Sequence, residues 1–484
     1  MNFFCSRRPV GDAEARRRRV GDAKVGGAFA PRFVAAIPAL RTAKRLQKSL
    51  AAALILFCAT KSNALTLDEA LARTLEKNPS IVDAKLALEQ AAGRRLVLRS
   101  IGLPDTRIQI LAGDQGGKRA GQSSNQPFGF GRGFFTQALF DAAVPASRRR
   151  GDIEVLLAEQ RLNVAVVQQL HTARIAFYTA LFNDSLRTLG EAQRQRLLQN
   201  VTTQAERYQA GQADRGAMVA AQLLERELDP RLEDVRRLYD GALLTLGTCM
   251  GDNLGPKANQ IHPEGDLIFA TTNIDLPADT TAALEDRADL KLARLVVRAA
   301  GADQRIIAAA YYPALDAVLT GTYIPVTVPT ANSGSPRASD NIISSEGTAG
   351  VAFTWRVVDN GKVGGQVLRA RAIREMNEIS LHQLEANVSI ELKRISNNFH
   401  AIDGRWKSLS AAVTGAEQNV TVVQRTLAEG LSSQLEFRTA EGSFLETKSA
   451  LLSAAYQQNV ARAEWDRATG RYFQFSGDTV GKLH

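Results

Sequence analysis

The feature that most constrains the fold is a seven-residue apolar repeat in the segment from Gly361 to Glu429. Two interleaved sets of positions follow it: Ile395, Ile402, Leu409, Ala416 and Val423, and Phe399, Trp406, Val413, Val420 and Leu427. This a/d pattern indicates a coiled-coil helix with a left-handed supercoil. The segment has 69 residues, so as one helix it extends about 100 Å, more than a globular core requires.

A second apolar seam resumes after Gly430. Its positions are Phe437, Phe444, Leu451, Gln458 and Trp465, with Ala440, Thr447, Ala454, Ala461 and Ala468 three residues later. An offset of 219 residues gives a similar seam in the first half: Met218, Glu225, Leu232, Tyr239 and Leu246, with Ala221, Leu228, Val235, Ala242 and Cys249. Cys249 is therefore predicted to be a packing residue. The apolar repeat of the first long helix, about 146–210, is less regular. Pro230 lies in the helix that follows and is expected to kink it.

Related segments recur in the same order, which predicts an internal tandem duplication. Pro104 corresponds to Pro313, and "LFDAA" (139–143) corresponds to "VVDNG" (357–361). We expect repeats at 65–250 and 282–475, an inter-repeat linker at 251–281, and a C-terminal tail at 476–484.

Residues 1–64 have the features of a leader. A basic segment, "RTAKRLQK", precedes about ten apolar residues, "LAAALILFCAT", and the small-x-small triplet Ser62-Asn63-Ala64. This order is typical of a secretory signal peptide, although a buried core helix is an alternative. Residues 1–33 fit no signal, and we expect translation to start near Val34. Leu65 is predicted to be the mature N-terminus, exposed to the periplasm, with Thr66 and Glu69 forming a capping box.

The charge of the chain is concentrated in this leader. The whole sequence has 60 Lys/Arg and 50 Asp/Glu, but residues 65–484 have 47 of each. Because the net charge of +10 comes from the leader and the rest of the chain is neutral, we expect no nucleic-acid partner. Cys5 and Cys58 belong to the leader, so Cys249 is predicted to have no disulfide partner after cleavage.

The apolar period changes from 3.5 to 2 after each proline. Leu315, Ala317, Leu319 and Tyr323 alternate with polar residues, as do Phe353 and Trp355 across the loop, and "GFFTQALF" (133–140) is the counterpart in the first half. We expect four strands of about ten residues, joined by polar loops at 114–133 and 325–347. Aromatic residues near strand ends predict a membrane aromatic belt: Phe140, Tyr323, Phe353 and Trp355. Four strands cannot close a transmembrane barrel, so the chain is expected to borrow strands from other copies.

With "LTLDEALARTLEKNP", the two long hairpins and the "LFDAA"/"VVDNG" corners, the chain resembles the TolC-like outer-membrane efflux channel family. The likeness covers about residues 65–475. It implies an α+β membrane protein in a homotrimer, with a 12-stranded β-barrel in the outer membrane and an α-helical barrel in the periplasm. It also implies a periplasmic adaptor and an inner-membrane pump as partners, outer-membrane lipid around the strands, and no cofactor.

Gly211 and Gly430 are predicted to mark helix reversals at the periplasmic tip. By the family likeness, this tip is the closed aperture and adaptor dock, and the candidate docking residues are Tyr208, Gly211, Asp214, Arg215, Glu429, Gly430, Leu431, Ser432 and Gln434. The candidate strand–helix corners are Asp141, Asp359 and Gly361, where a turn is favoured over a cation site.

The sequence has no HExxH or CxxC motif, and its five histidines are scattered. We therefore expect no metal site and no catalytic residues. The function predicted is a passive channel of a tripartite efflux or type I secretion system. The alternatives are a periplasmic adaptor-like coiled-coil protein and, third, an enzyme.

Overall fold

The secondary structure runs through a similar order of elements in each half of the chain. The computed structural model describes residues 64–119, 122–252, 261–328 and 340–475. The first half contains β1 (Ala64–Leu65), α1 (Leu67–Lys77), α2 (Pro79–Ser100), β2 (Asp105–Arg119), β3 (Gln122–Phe140), α3 (Ala143–Gln209), α4 (Arg215–Arg226) and α5 (Asp229–Cys249). The second contains β4 (His262–Pro263), α6 (Leu276–Asp286), α7 (Ala288–Ala308), β5 (Ala314–Val328), β6 (Asp340–Thr354), α8 (Lys362–Glu429) and α9 (Gln434–Ala468). The predictions for residues 1–63 and for the tail at 476–484 lie outside the described residues.

The two long helices have the predicted lengths. α3 has 67 residues and α8 has 68, about 100 Å each. Side chains of the α8 seam are buried, including Ile395, Phe399 and Leu427. In the α9 seam, Phe437 and Trp465 are buried as well. α3 packs against α2 and α7 in one part of its length and against α5 and α9 in another.

The helix containing Pro230 is interrupted rather than bent. α4 ends at Arg226, and α5 begins at Asp229 with Pro230 in its first turn. Proline is tolerated there because the first backbone N–H groups of a helix have no intrahelical partner.

One antiparallel sheet contains the four predicted strands in the order β2–β3–β5–β6. The strands have 15, 19, 15 and 15 residues, so the expectation of about ten residues and two long loops is wrong. The strands continue into the Gly/Ser-rich segments because backbone pairing satisfies N–H and C=O groups whatever the side chains. β6 ends at Thr354, and Trp355 therefore lies just beyond its strand.

The start of the described chain is buried. β1 pairs in parallel with β4, the Glu264 N–H donates to the Leu65 carbonyl at 3.0 Å, and the Leu65 side chain is 2% exposed. The expected exposure of Leu65 to the periplasm is wrong, because the side chain fills a core between α1, α3 and α5. The Thr66 hydroxyl accepts from the Glu69 N–H at 3.3 Å, which is one half of the predicted capping box.

The segment between the halves lies against the helices of the second half. Asn459 donates to the Ile268 carbonyl at 3.2 Å, and Gln458 donates to that of Ala270. Phe269 stacks on Trp406 with ring centroids 4.3 Å apart. The described part of the predicted linker is therefore packed into the fold.

Candidate functional site

The first candidate site is the end of the molecule where both long helices turn. Gly211 follows α3 with φ of 72°, and Gly430 follows α8 with φ of 83°. Both values lie in the left-handed region, where a Cβ atom is unfavourable. The two predicted reversals are therefore confirmed as turns, and each leads into the next helix of its half.

The two turns are in direct contact through Arg207. Its Nη1 donates to the Leu427 carbonyl at 2.6 Å, near the end of α8, and its Nη2 donates to the Gln212 carbonyl at 3.5 Å, in the turn after α3. The guanidinium also lies against Gly430, so that a Cβ atom there would collide with it. The sequence prediction did not include Arg207, whose role depends on a contact between segments about 220 residues apart.

Several predicted tip residues have local structural roles. Asp214 caps α4 by accepting from the Ala217 N–H at 2.8 Å, and the Ser432 hydroxyl bonds that of Thr426. Gln434 exchanges hydrogen bonds with Asn200 across the two halves. The remaining predicted tip residues have exposed side chains or lie on the exposed turns: Tyr208, Gly211, Arg215, Glu429, Gly430 and Leu431.

A polar stripe on α3 faces the second half near the tip. Its members recur at intervals of three and four residues: Gln193, Arg196, Asn200, Gln204 and Arg207. Arg196 donates through Nε and Nη2 to Oε1 of Glu441, at 3.0 and 2.7 Å, and Glu441 is 2% exposed. Oxygens of Glu441 and Gln193 and the amide nitrogen of Gln204 are buried without a partner in the described chain.

Apolar contacts accompany this polar stripe. Leu197 of α3 and Leu232 of α5 share a cluster with Leu427 and Phe437 of the second half. Within the second half, Val413, Val420, Ala440 and Phe444 form a continuous apolar seam between α8 and α9. The α8–α9 hairpin is therefore held by apolar packing, whereas its contact with α3 is of mixed polarity.

The strand–helix corners are closed by aspartates, as predicted. Asp141 accepts from the Ala143 N–H at 2.7 Å. Asp359 accepts from Gly361 at 3.0 Å and from Val363 at 2.7 Å. These backbone hydrogen bonds hold the pKa of the Asp359 carboxyl below its usual value. Both corners therefore have the hydrogen bonds of a turn. At the second corner, Gly361 has φ of 82°, in the left-handed region, at the start of α8.

The sheet has one apolar face, and the strand register aligns it. Ile108 is 74% exposed and Ile110 is 79% exposed, and the register puts Phe135, Leu319 and Val351 on the same face. The opposite face includes Arg107, Gln109, Thr136, Asp316, Thr320 and Thr322. The predicted alternation is therefore confirmed in β2, β5 and β6, whereas in β3 Phe134 lies on the face opposite Phe135.

The predicted aromatic residues lie at two levels of this sheet. Phe140 and Phe353 both pair with Leu315, whereas Tyr323 lies eight residues along β5, a separation of about 26 Å along the strand. Trp355 Nε1 donates to the Tyr311 carbonyl at 3.2 Å. With the tilt of about 40° that membrane strands have, this separation spans about 20 Å along the membrane normal, somewhat less than the roughly 25 Å apolar band of such strands.

The described residues contain no cluster of three or more His, Cys, Asp or Glu that could hold a metal ion. Cys249 is buried in an apolar core, and burial raises the pKa of its thiol, which agrees with the packing role predicted for it. His171 is buried too, and desolvation, with the charges of Arg467 and Arg174, lowers its pKa to about 4.

In the described part of the chain, none of the helices combines the length and the apolar character needed to cross a bilayer.

Three solved structures are similar to this chain over most of its length. The outer membrane protein VceC of Vibrio cholerae is 19% identical with a TM-score of 0.69, and the match covers 84% of this chain and 96% of that one. The Campylobacter jejuni CmeC outer membrane channel is 14% identical with a TM-score of 0.72, covering 86% and 88%. The Neisseria gonorrhoeae MtrE outer membrane channel in its open state is 18% identical with a TM-score of 0.63, covering 84% and 88%.

The TM-scores and coverages of these matches establish the fold, which is that of the TolC-like outer-membrane channels. Residues 280–471 match the outer membrane efflux protein family, so the resemblance predicted from the sequence is confirmed. No curated protein sequence matches the chain.

Proposed function

We propose that the chain is one protomer of an outer-membrane export channel, a passive conduit across the outer membrane and periplasm. It would act as a homotrimer, with a periplasmic adaptor and an inner-membrane pump. The observation that carries the proposal is a four-stranded sheet with an exposed apolar face, joined directly to helices of about 100 Å.

The edges of the sheet support assembly from several copies. Among the described residues, β2 pairs only with β3 and β6 pairs only with β5, so each has one unpaired edge. Open edges are not tolerated in lipid. Because the sheet has an even number of antiparallel strands, β6 of one copy would run antiparallel to β2 of the next.

Three copies fit this function better than two. Two copies would give eight strands, and the interior of an eight-stranded barrel is largely filled by side chains. Three copies give twelve strands and leave a lumen. The polar face of the sheet would then line the passage, and the apolar face would contact lipid.

The helices offer two apolar stripes for contact between copies. One is on α2 and includes Leu86, Leu96 and Val97; the other is on α8 and includes Leu368, Met376, Ile379 and Ile390. All seven side chains are exposed in the single chain, at spacings typical of helix seams. Packing α2 of one copy against α8 of the next would bury both stripes and close a helical barrel.

The tip is the proposed closed aperture and adaptor dock. It has exposed apolar side chains, including Leu431 and Leu435, beside the Arg207 contact between the halves. We expect Gly430→Trp to abolish export while the trimer still reaches the outer membrane, because the strands lie far from the change. Normal export, or failure to assemble, would contradict the role proposed for the tip.

Channel activity tests the proposal directly. The mature chain, purified from outer membranes and added to a planar lipid bilayer, should give discrete conductance steps. Arg207→Ala should increase the open fraction, because it removes the bond between the two turns. Arg231→Ala, an exposed change on α5, is the matched control. Absence of conductance steps from the wild-type protein would contradict the proposal.

A further inference from the structure

The helix ends next to the sheet are enriched in positive charge, which the acidic residues of other parts of the chain offset. The segments are 91–100 of α2, 143–156 of α3, 295–308 of α7 and 362–374 of α8. Together they contain twelve Lys/Arg and three Asp/Glu, whereas residues 65–484 as a whole are balanced. We call the Lys and Arg residues of these segments the basic collar.

A groove between α3 and α7 lies within this collar and has a volume of about 450 Å³. Arg149 contributes from α3, and Arg298 and Arg305 contribute from α7. The three side chains belong to exposed residues. Three guanidinium groups therefore line one groove that is open to solvent.

The positive charge of the groove is not offset locally. Its lining carboxylate, Asp152, already accepts from Arg95 at 2.8 Å and from Arg99 at 2.7 Å. In the described part of the chain, Arg149, Arg298 and Arg305 form no ion pair with a carboxylate. Arg150 differs, because Glu154 and Asp303 neutralise it. The pairing with Arg150 and Arg94 holds the pKa of the Glu154 carboxyl below its usual value despite burial.

The wall of the groove strengthens its attraction for anions. Ile153, Leu156 and Ala302 lie between the arginines, and Ile153 and Ala302 belong to the buried contact of α3 with α7. Apolar walls reduce the screening of charges beside them. Guanidinium groups bind phosphate oxygens through paired N–H donors. The chemistry of the groove therefore suits a phosphate group.

The position of the groove identifies the source of the phosphate. Arg149 is six residues into α3, which begins just after β3, and Arg305 is three residues from the end of α7, just before β5. These offsets are about 9 and 5 Å along the helices. The exposed Tyr311 and Tyr312 lie between α7 and β5, where interfacial aromatic residues belong.

We propose that this groove binds the phosphate headgroup of an anionic phospholipid from the periplasmic leaflet, with the rest of the basic collar attracting the same lipids. This inference rests on the proposed function, since it requires the sheet to lie in the membrane. The lipid would anchor the junction of strands and helices at a fixed depth.

Native mass spectrometry of the trimer tests this inference, with equimolar phosphatidylglycerol and phosphatidylethanolamine as probes. The wild type should retain phosphatidylglycerol preferentially. The triple variant Arg149→Gln, Arg298→Gln, Arg305→Gln should lose this preference, with affinity falling about fivefold per arginine. The variant with lysine at the same three positions should keep most of the preference for phosphatidylglycerol, because the positive charge remains.

The matched control removes three arginines far from the sheet: Arg226→Gln, Arg231→Gln and Arg425→Gln. These exposed residues also lack ion pairs in the described chain, and their loss should leave lipid retention unchanged. Equal retention of the two lipids by the wild type, or unchanged preference in the groove variant, would overturn the inference. Inorganic phosphate that displaced the lipid at comparable concentration would overturn it in favour of a soluble anion.

The same spectra separate this inference from the proposed function. A three-chain complex without lipid preference overturns the groove alone. A single chain that also gives no conductance overturns the proposed channel, and the lipid site with it.

Discussion

Alanine substitutions at the two turn glycines should have unequal effects. Gly211 and Gly430 have φ values of 72° and 83°, so an alanine at either position incurs the left-handed penalty of about 1–2 kcal/mol. An added Cβ at Gly211 meets no atom within 4 Å, whereas at Gly430 it meets the guanidinium of Arg207. Gly211→Ala is therefore a matched control for Gly430→Ala.

The difference between the two variants follows from the Arg207 hydrogen bond. The Cβ added in Gly430→Ala collides with Nη2 of Arg207, and moving the planar guanidinium also displaces Nη1, which donates to the Leu427 carbonyl at 2.6 Å. A hydrogen bond from a charged group contributes about 1.5–3 kcal/mol, and the lower end applies because Arg207 is partly exposed. Gly430→Ala should thus destabilise the tip by about 1.5 kcal/mol more than Gly211→Ala, about a tenfold change in local opening.

Hydrogen exchange of peptides covering 204–216 and 424–436 measures this opening. Exchange near the tip should be about ten times faster in Gly430→Ala than in Gly211→Ala. In an Arg207→Ala background, the extra cost at Gly430 should disappear. Equal exchange in the two single variants, or an unchanged extra cost without Arg207, would refute this reasoning.

Cysteines replacing Leu96 and Met376 should form disulfides between neighbouring copies, seen as dimers and trimers on non-reducing gels; bonds confined to one chain would contradict the proposed packing. Glu441→Ala should cost about 3 kcal/mol in denaturant unfolding, since it leaves Arg196 partly buried and unpaired. The double variant with Arg196→Ala should cost less than the sum of the single changes, and strict additivity would disprove the coupling. The His171 pKa is lowered to about 4 in the folded chain, so between pH 6.5 and pH 4 the unfolded chain binds a proton that the folded chain does not. The contribution of neutral His171 to the free energy of unfolding is therefore complete above pH 6.5 and falls by up to about 3 kcal/mol as the pH drops towards 4. His171→Gln should remove that part of the acid sensitivity, and an unchanged pH profile of unfolding would exclude it.

Local sequence patterns were sufficient for the helices and turns. The seven-residue repeat defines which face of α8 is buried, because coiled-coil packing depends on residues three and four apart. Turn residues are also predictable from local sequence, because a left-handed backbone favours glycine and a turn favours aspartate that accepts nearby N–H groups. Gly211, Gly430, Asp141 and Asp359 are such residues.

Features that depend on distant contacts were not predictable in this way. The strands extend through Gly/Ser-rich segments because their partners supply the hydrogen bonds. Leu65 is buried by pairing with a segment about 200 residues away. The polar stripe on α3 has the spacing of a coiled-coil seam, but its residues are polar and therefore give no apolar periodicity. Arg207 has no local signal, since its partners are backbone carbonyls of two turns.

The number of chains in the complex extracted from the outer membrane tests the central claim most directly. The sheet of four strands in the described part of the chain has two unpaired edges, so other copies are required to close a barrel, and three copies leave a lumen. The mass of the detergent-solubilised complex should therefore equal three mature chains. A complex with the mass of one chain, inserted stably in the membrane, would contradict the account.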